Sequence, residues 1–112
     1  MSTNNDNIHP AEQVLLLQNL QALLEKQIES ANQSNIKDVE SVAEQVDSLV
    51  EKIRDGGALK NPKFQNQRLQ LQKLYDDLLL ALTAQKADTG DKLTRLRQTK
   101  KVIGSYRSSI RL

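Results

Sequence analysis

Apolar residues recur every three or four positions along almost the whole chain. Val14, Leu17, Leu20, Leu24, Ile28 and Ala31 form one stripe, and Val39, Val42, Val46, Leu49 and Ile53 form a second. A third runs through Phe64, Leu71, Leu74, Tyr75, Leu78 and Leu82, then resumes after a polar stretch at Leu93, Leu96 and Ile103. Alternating spacings of three and four match a helix of 3.6 residues per turn and not a strand, whose period is 2.

Breaker residues punctuate these stripes. Pro10 suits the first turn of a helix, where its missing N–H costs nothing. The polar patch NQSN at 32–35 shifts the phase of the first two stripes. It reads either as a four-residue stutter in a continuous helix or as a break, with Asn35 capping a new helix and Asp38 at its third position. The continuous helix with a weak middle is the preferred expectation. RDGGALKNP at 54–62 is a firmer boundary. Gly56-Gly57 supplies a C-terminal stop, because glycine takes the left-handed conformation without a Cβ penalty. Asn61-Pro62 supplies a restart, as N-cap and first helical residue. The interval fits a hinge between antiparallel neighbours better than a linker between domains. Gly90 weakens the second arm, with Asp88 or Thr89 available to cap a fresh helix, and Gly104-Ser105 is expected to end it.

The fold predicted is all-α: an antiparallel helical hairpin of two long helices, kinked or weak in their middles. A disordered start (1–9) leads into arm one (10–54), a turn (55–61), arm two (62–104) and a tail (105–112). Each arm would be ~65 Å long at 1.5 Å per residue. Leu15, Leu16, Leu23 and Val50 lie off the main stripe of arm one, and Leu69, Leu79 and Leu80 off that of arm two. Such faces are wider than a two-helix seam requires. The hairpin is therefore expected to complete a bundle with a second copy or with a partner helix.

Charge is divided along the chain. Residues 1–56 carry four basic and ten acidic side chains, whereas residues 57–112 carry twelve basic and four acidic, within an overall charge of +2. Folded at the glycine pair, an acidic arm would face a basic one and set the antiparallel register. Composition agrees with long helices and a thin core: 38% of residues are hydrophobic and 3% aromatic, and mean hydropathy is −0.59. The longest apolar runs, LLL and LLLAL, fall far short of the ~20 residues that span a bilayer. The first ten residues hold neither a basic residue nor an apolar block, so a cytoplasmic protein without a membrane span is expected.

The residues argue against an enzyme. There is no cysteine and a single histidine, His9, in the polar start, so no metal cluster, thiolate nucleophile or Ser–His–Asp arrangement can be assembled. Asp76 and Asp77 are adjacent on a helix and diverge, so they do not make a facing pair. The glycines form no phosphate-cradling loop, and no cofactor is expected. Lys92, Arg95, Arg97, Lys100, Lys101, Arg107 and Arg111 are suited to contact phosphates, but only Tyr106 lies nearby to stack on a base. Nucleic-acid binding is thus a third reading, behind a protein-binding module and a structural coiled-coil or dimerisation element. The segment VIGSYRSSIRL, apolar among bases, is either a loose end or a piece that folds on a partner or covers an apolar groove.

The segment LLEKQIESANQSNIKDVESVAEQVDSLVEKI resembles the first half of flagellar export chaperones of the FlgN and FliT type: a Leu-rich helix, a polar step, then a second Leu/Val-periodic stretch. LYDDLLLALTAQKADTGDKLTRLRQTKKVIGSYRSS is similar to their second half, in which a small residue or glycine precedes a Leu-x-x-Leu pair and a basic stretch ends near a tyrosine. The positions are Gly90, Leu93, Leu96, Lys100-Lys101 and Tyr106. The resemblance implies a cytoplasmic chaperone of type III secretion. It would hold a helical segment of a secreted hook-associated or filament-cap protein as its client. It further implies a partner-binding groove of Leu71, Leu74, Leu78, Leu82, Leu93, Leu96 and Ile103, with Tyr106 and Ile110 as a second contact.

Overall fold

A computed structural model describes residues 10–85 and 90–110, with side chains described for 11–85 and 90–105. Four α-helices make up most of it: α1 (Pro10–Asn32), α2 (Ile36–Asp55), α3 (Gln65–Thr83) and α4 (Gly90–Ile110). No strand occurs among the described residues. The expected arms are therefore each folded in half, and the chain builds its own four-helix packing.

The break at 33–35 replaces the long first helix. Ser34 adopts the left-handed conformation, with φ 62°. The Asn35 N–H donates to the Ser30 carbonyl at 2.8 Å and the Ser34 N–H to the Ala31 carbonyl at 3.0 Å. That pair of bonds is a Schellman stop, made here with serine where glycine is usual. Asn35 then starts α2: its side-chain oxygen accepts the Asp38 N–H at 3.1 Å. Stop and start overlap in two residues, so α2 turns back along α1. Two cross-links hold the corner. The Ser30 hydroxyl donates to the Asp38 carboxylate, and buried Gln27 donates through Nε2 to the Val39 carbonyl at 2.9 Å.

The central hinge follows the glycine stop, but Asn61-Pro62 opens a 3-10 turn and α3 begins only at Gln65. Gly57, at φ 81°, follows the end of α2, and its N–H donates to the Arg54 carbonyl at 3.1 Å. Two short 3-10 turns follow, Ala58–Lys60 and Pro62–Phe64. The Asn61 side chain caps the second by accepting the Lys63 N–H at 3.0 Å. The side chain of Arg68, buried on α3, reaches back over this loop: its Nη1 donates to the carbonyls of Asn61 (2.6 Å) and Ala58 (3.3 Å). Gln13 at the start of α1 donates through Nε2 to the Gly56 carbonyl at 2.6 Å. Loop carbonyls that would otherwise be buried without donors are thereby satisfied.

Helix α3 ends at Thr83, and Gly90 opens α4 instead of interrupting a longer helix. The proposed caps Asp88 and Thr89 lie outside the described residues. Gly104-Ser105 does not end α4, which runs on to Ile110. A helix already packed through Leu96 and Ile103 tolerates one glycine, whose cost is only ~1 kcal/mol against alanine.

Helix α1 packs against α2 and α3, and α4 against α3 and α2, leaving α1–α4 and α2–α3 on the diagonals. Because each connection reverses the chain, α1/α2 and α3/α4 are antiparallel hairpins laid side by side, with α2 parallel to α4. One core runs through all four helices: Leu17, Leu20 and Leu24; Val39, Val42, Val46, Val50 and Ile53; Leu71, Tyr75, Leu78 and Leu82; Leu96 and Ile103. Ala58 and Phe64 of the hinge close one end. Each helix has two neighbours in its own chain, which accounts for the wide apolar faces. Val50 is fully in the core and Leu16, Leu23 and Leu79 are half-buried against it. Leu15, Leu69 and Leu80 are the residues left exposed.

Candidate functional site

Five of the nine residues expected to bind a partner lie inside this core. Leu71, Leu78, Leu82, Leu96 and Ile103 are each at most 6% exposed. Leu74 is half-buried at the edge of α3, and Leu93 is 39% exposed on α4. The side chains of Tyr106 and Ile110 lie outside the described residues, as does His9. The structure thus brings α3 and α4 together, with five of the residues that the resemblance gave to a groove on these two helices buried in the core.

Among the described side chains, those of helix α4 are the most lightly held of the four helices. Among its described side chains only Leu96, Thr99 and Ile103 are buried. Two are apolar. The Thr99 hydroxyl is satisfied within its own helix, donating to the Arg95 carbonyl at 2.8 Å. By contrast α2 buries five apolar residues, against two among the residues of α4 whose side chains are described. One described ion pair ties α4 to α2, Arg95 Nε to Glu40 Oε1 at 3.1 Å, with the two side chains 45% and 40% exposed. A pair so placed contributes only ~0.2–1 kcal/mol.

Two clefts flank α4. One, of about 270 Å³, lies at the end of the bundle between the α1–α2 corner and the start of α4, lined by Asn35, Ile36, Lys37, Gln85, Arg95 and Leu96 among others. The other, of about 220 Å³, follows the α2–α4 seam and is lined by Glu40, Ala43, Arg95, Gln98, Thr99, Val102 and Ile103. The α2–α4 seam is also the most open of the four helix pairings around the bundle.

The polar core positions escaped the sequence reading. In α1 the buried stripe is Gln13, Leu17, Leu20, Leu24, Gln27 and Ala31, with Val14 and Ile28 displaced to its flank. A strict four–three alternation through both glutamines was the available signal. Arg68 gave none, since nothing local marks it as the clasp of the hinge. No group of three or more candidate metal ligands occurs among the described residues. No described helix is long and apolar enough to cross a membrane. Comparison with protein-family models, with curated proteins and with solved structures finds no match for this chain.

Proposed function

We propose that this chain is a cytoplasmic protein-binding module of the export-chaperone kind, which receives an amphipathic helical segment of a secreted flagellar protein. The observation that supports this reading is the unequal anchoring of the helices. Among its described side chains helix α4 buries two apolar residues, Leu96 and Ile103, in packing on α3, while the α1/α2 hairpin is closed by a much longer apolar seam. A client helix with apolar residues at i, i+3, i+4 and i+7 would replace α4 against α3 without dismantling α1 and α2. The groove residues then act in two classes. Leu71, Leu74, Leu78 and Leu82 receive the client, and Leu96 and Ile103 compete with it.

The test begins with capture of the protein from its native cytoplasm at moderate salt and identification of what co-purifies. A secreted hook-associated or cap subunit in fixed ratio is the expected result. Calorimetric titration of that subunit's bound segment then separates the two classes. Leu96→Ala, which loosens the cover, should tighten binding several-fold. Leu74→Asp, at the half-buried rim, should weaken it by tenfold or more. If Leu96→Ala weakens binding as much as Leu74→Asp does, α4 is part of the receiving surface and the competition scheme is wrong. Recovery of nucleic acid instead, lost steeply with added salt, would transfer the function to the basic helix.

A further inference from the structure

Helix α1 carries a pattern centred on Asn19. Glu12 lies seven residues before it and Lys26 seven after, with Leu15 and Leu23 four residues to either side. Intervals of four and seven keep all five on one stripe of a helix. Helix α2 carries a second pattern centred on Ser48, with Glu44 four residues before it and Lys52 four after. Reversing either segment end for end puts a base where each acid stood and a leucine where each leucine stood. The fold sets the two centres abreast. The Gln13–Gly56 and Gln27–Val39 hydrogen bonds fix how α1 runs past α2, and Asn19 then falls level with Ser48. Both line one open groove between the two helices, together with Leu23, Glu44, Leu49 and Lys52. The four charged residues are exposed, as are Asn19 and Ser48, and Leu15 is 56% exposed. None of Glu12, Lys26, Glu44 and Lys52 forms an ion pair with another described residue.

We infer that this outward α1–α2 face is the contact surface of a two-fold dimer of the chain. The axis lies in the contact plane, perpendicular to the helices and level with Asn19 and Ser48. It sets α1 antiparallel on the second copy's α1 and α2 antiparallel on the second copy's α2. Glu12 then lies opposite Lys26 of the partner subunit, Glu44 opposite Lys52 of the partner subunit, and Leu15 opposite Leu23 of the partner subunit. Each pairing occurs twice, and Leu15 leaves water in both copies. Asn19 and Ser48 each meet their own counterpart on the axis. The other two-fold, parallel to the helices, sets α1 on the second copy's α2 and brings Glu12 near Asp55 of the partner subunit, acid against acid. A partner of unrelated sequence has no reason to match a pattern that is its own charge-complement when reversed, whereas a second copy matches it on both helices at once. The inference does not rest on the client proposed above, because α3 and α4 take no part in the contact.

Two charge-reversed variants of the full chain test it. Glu12→Lys/Glu44→Lys sets base against base at all four ionic contacts, and Lys26→Glu/Lys52→Glu sets acid against acid. All four positions are exposed, and circular dichroism should report native helix content for each variant. Sedimentation of the wild type should show a doubling of mass with concentration, weakened as salt rises from roughly 50 mM to 1 M. Each variant alone should self-associate at least about tenfold more weakly. An equimolar mixture of the two should recover the dimer, because every contact then joins acid to base. The axis itself is tested by cross-linking, since the natural chain has no cysteine. Asn19→Cys and Ser48→Cys should each form a disulfide dimer alone under mild oxidation, because facing helices bring residues on the axis within reach. Thr94→Cys, exposed on α4, should not. A wild type that stays monomeric throughout, folded variants that fail to pair in the mixture, or cross-links that form only when the Asn19→Cys and Ser48→Cys chains are mixed would overturn the assignment. A monomer whose captured client is released by Lys26→Glu/Lys52→Glu would overturn it in favour of that client.

Discussion

Ser34 carries a side chain in a conformation that serves glycine better. At φ 62° its Cβ crowds the following carbonyl, a cost of ~1–2 kcal/mol for an L-residue. Ser34→Gly should therefore raise stability, by ~0.5–1 kcal/mol once the greater freedom of glycine in the unfolded chain is deducted. The next residue works in the opposite sense. Asn35→Ala removes the oxygen that accepts the Asp38 N–H and should cost ~1 kcal/mol. Thermal unfolding of both variants, followed by circular dichroism, checks the pair. Equal small effects of one sign would mean that the corner is set by packing and not by its caps. The two residues also show the limit of local reading. Asn35 as a cap was legible because Asn with Asp three positions on is a start signal. Ser34 as the left-handed stop was not, because serine seldom takes that role and the phase shift alone is equally a stutter.

At the level of elements the helices differ in what holds them. Helix α2 buries Val39, Val42, Val46, Val50 and Ile53, whereas α4 buries Leu96, Thr99 and Ile103 among its described residues. Local opening follows buried apolar contact, so amide hydrogen exchange should be fastest in α4 and slowest in α1 and α2. Ile103→Ala should cost ~2–4 kcal/mol of α4's attachment and speed exchange across α4 while leaving the α1/α2 hairpin protected. Uniform acceleration over all four helices would show that the bundle opens only as one unit. Gly104, read as a terminator, is passed through by α4. A glycine marks a helix end reliably where the chain must turn, as at Gly57, and poorly where tertiary contacts on its N-terminal side hold the helix in place.

The whole molecule is decided by whether each arm is one helix or two. In an unbroken first arm, Glu12 and Asp55 would lie ~65 Å apart at 1.5 Å per residue. In the bundle the start of α1 meets the end of α2, as the Gln13–Gly56 hydrogen bond shows. Both positions are exposed and accept a spin label through Glu12→Cys/Asp55→Cys. Pulsed dipolar spectroscopy should return a separation below about 25 Å, given helix axes 8–10 Å apart and label arms of several ångströms on each side. A distance near the rod value would restore the long hairpin completed by a partner. The folded-back form also redistributes charge. The acidic half and the basic half become two hairpins side by side, so the contrast expected within one hairpin becomes a contrast between two.

The sequence by itself determined that the chain is helical, where its central hinge lies and which stripes are apolar. Those follow from periodicity, from glycine's access to positive φ and from proline's and asparagine's fitness for a helix start, all of which act over a few residues. It did not determine how many helices the stripes make, because a four-residue phase shift is compatible with a stutter or a corner. Only tertiary structure decided between them. Ser30, Gln27 and Gln13 donate hydrogen bonds across to Asp38, Val39 and Gly56, and Arg68 clasps the hinge carbonyls from ten and seven residues away. Such bonds join residues far apart in the chain or across a turn, and no local pattern announces them. For the same reason Leu71, Leu78, Leu82 and Leu96, which the resemblance gave to a groove, lie in the core of the fold. An apolar stripe states that a surface will be covered, and the covering segment is chosen by how the whole chain packs.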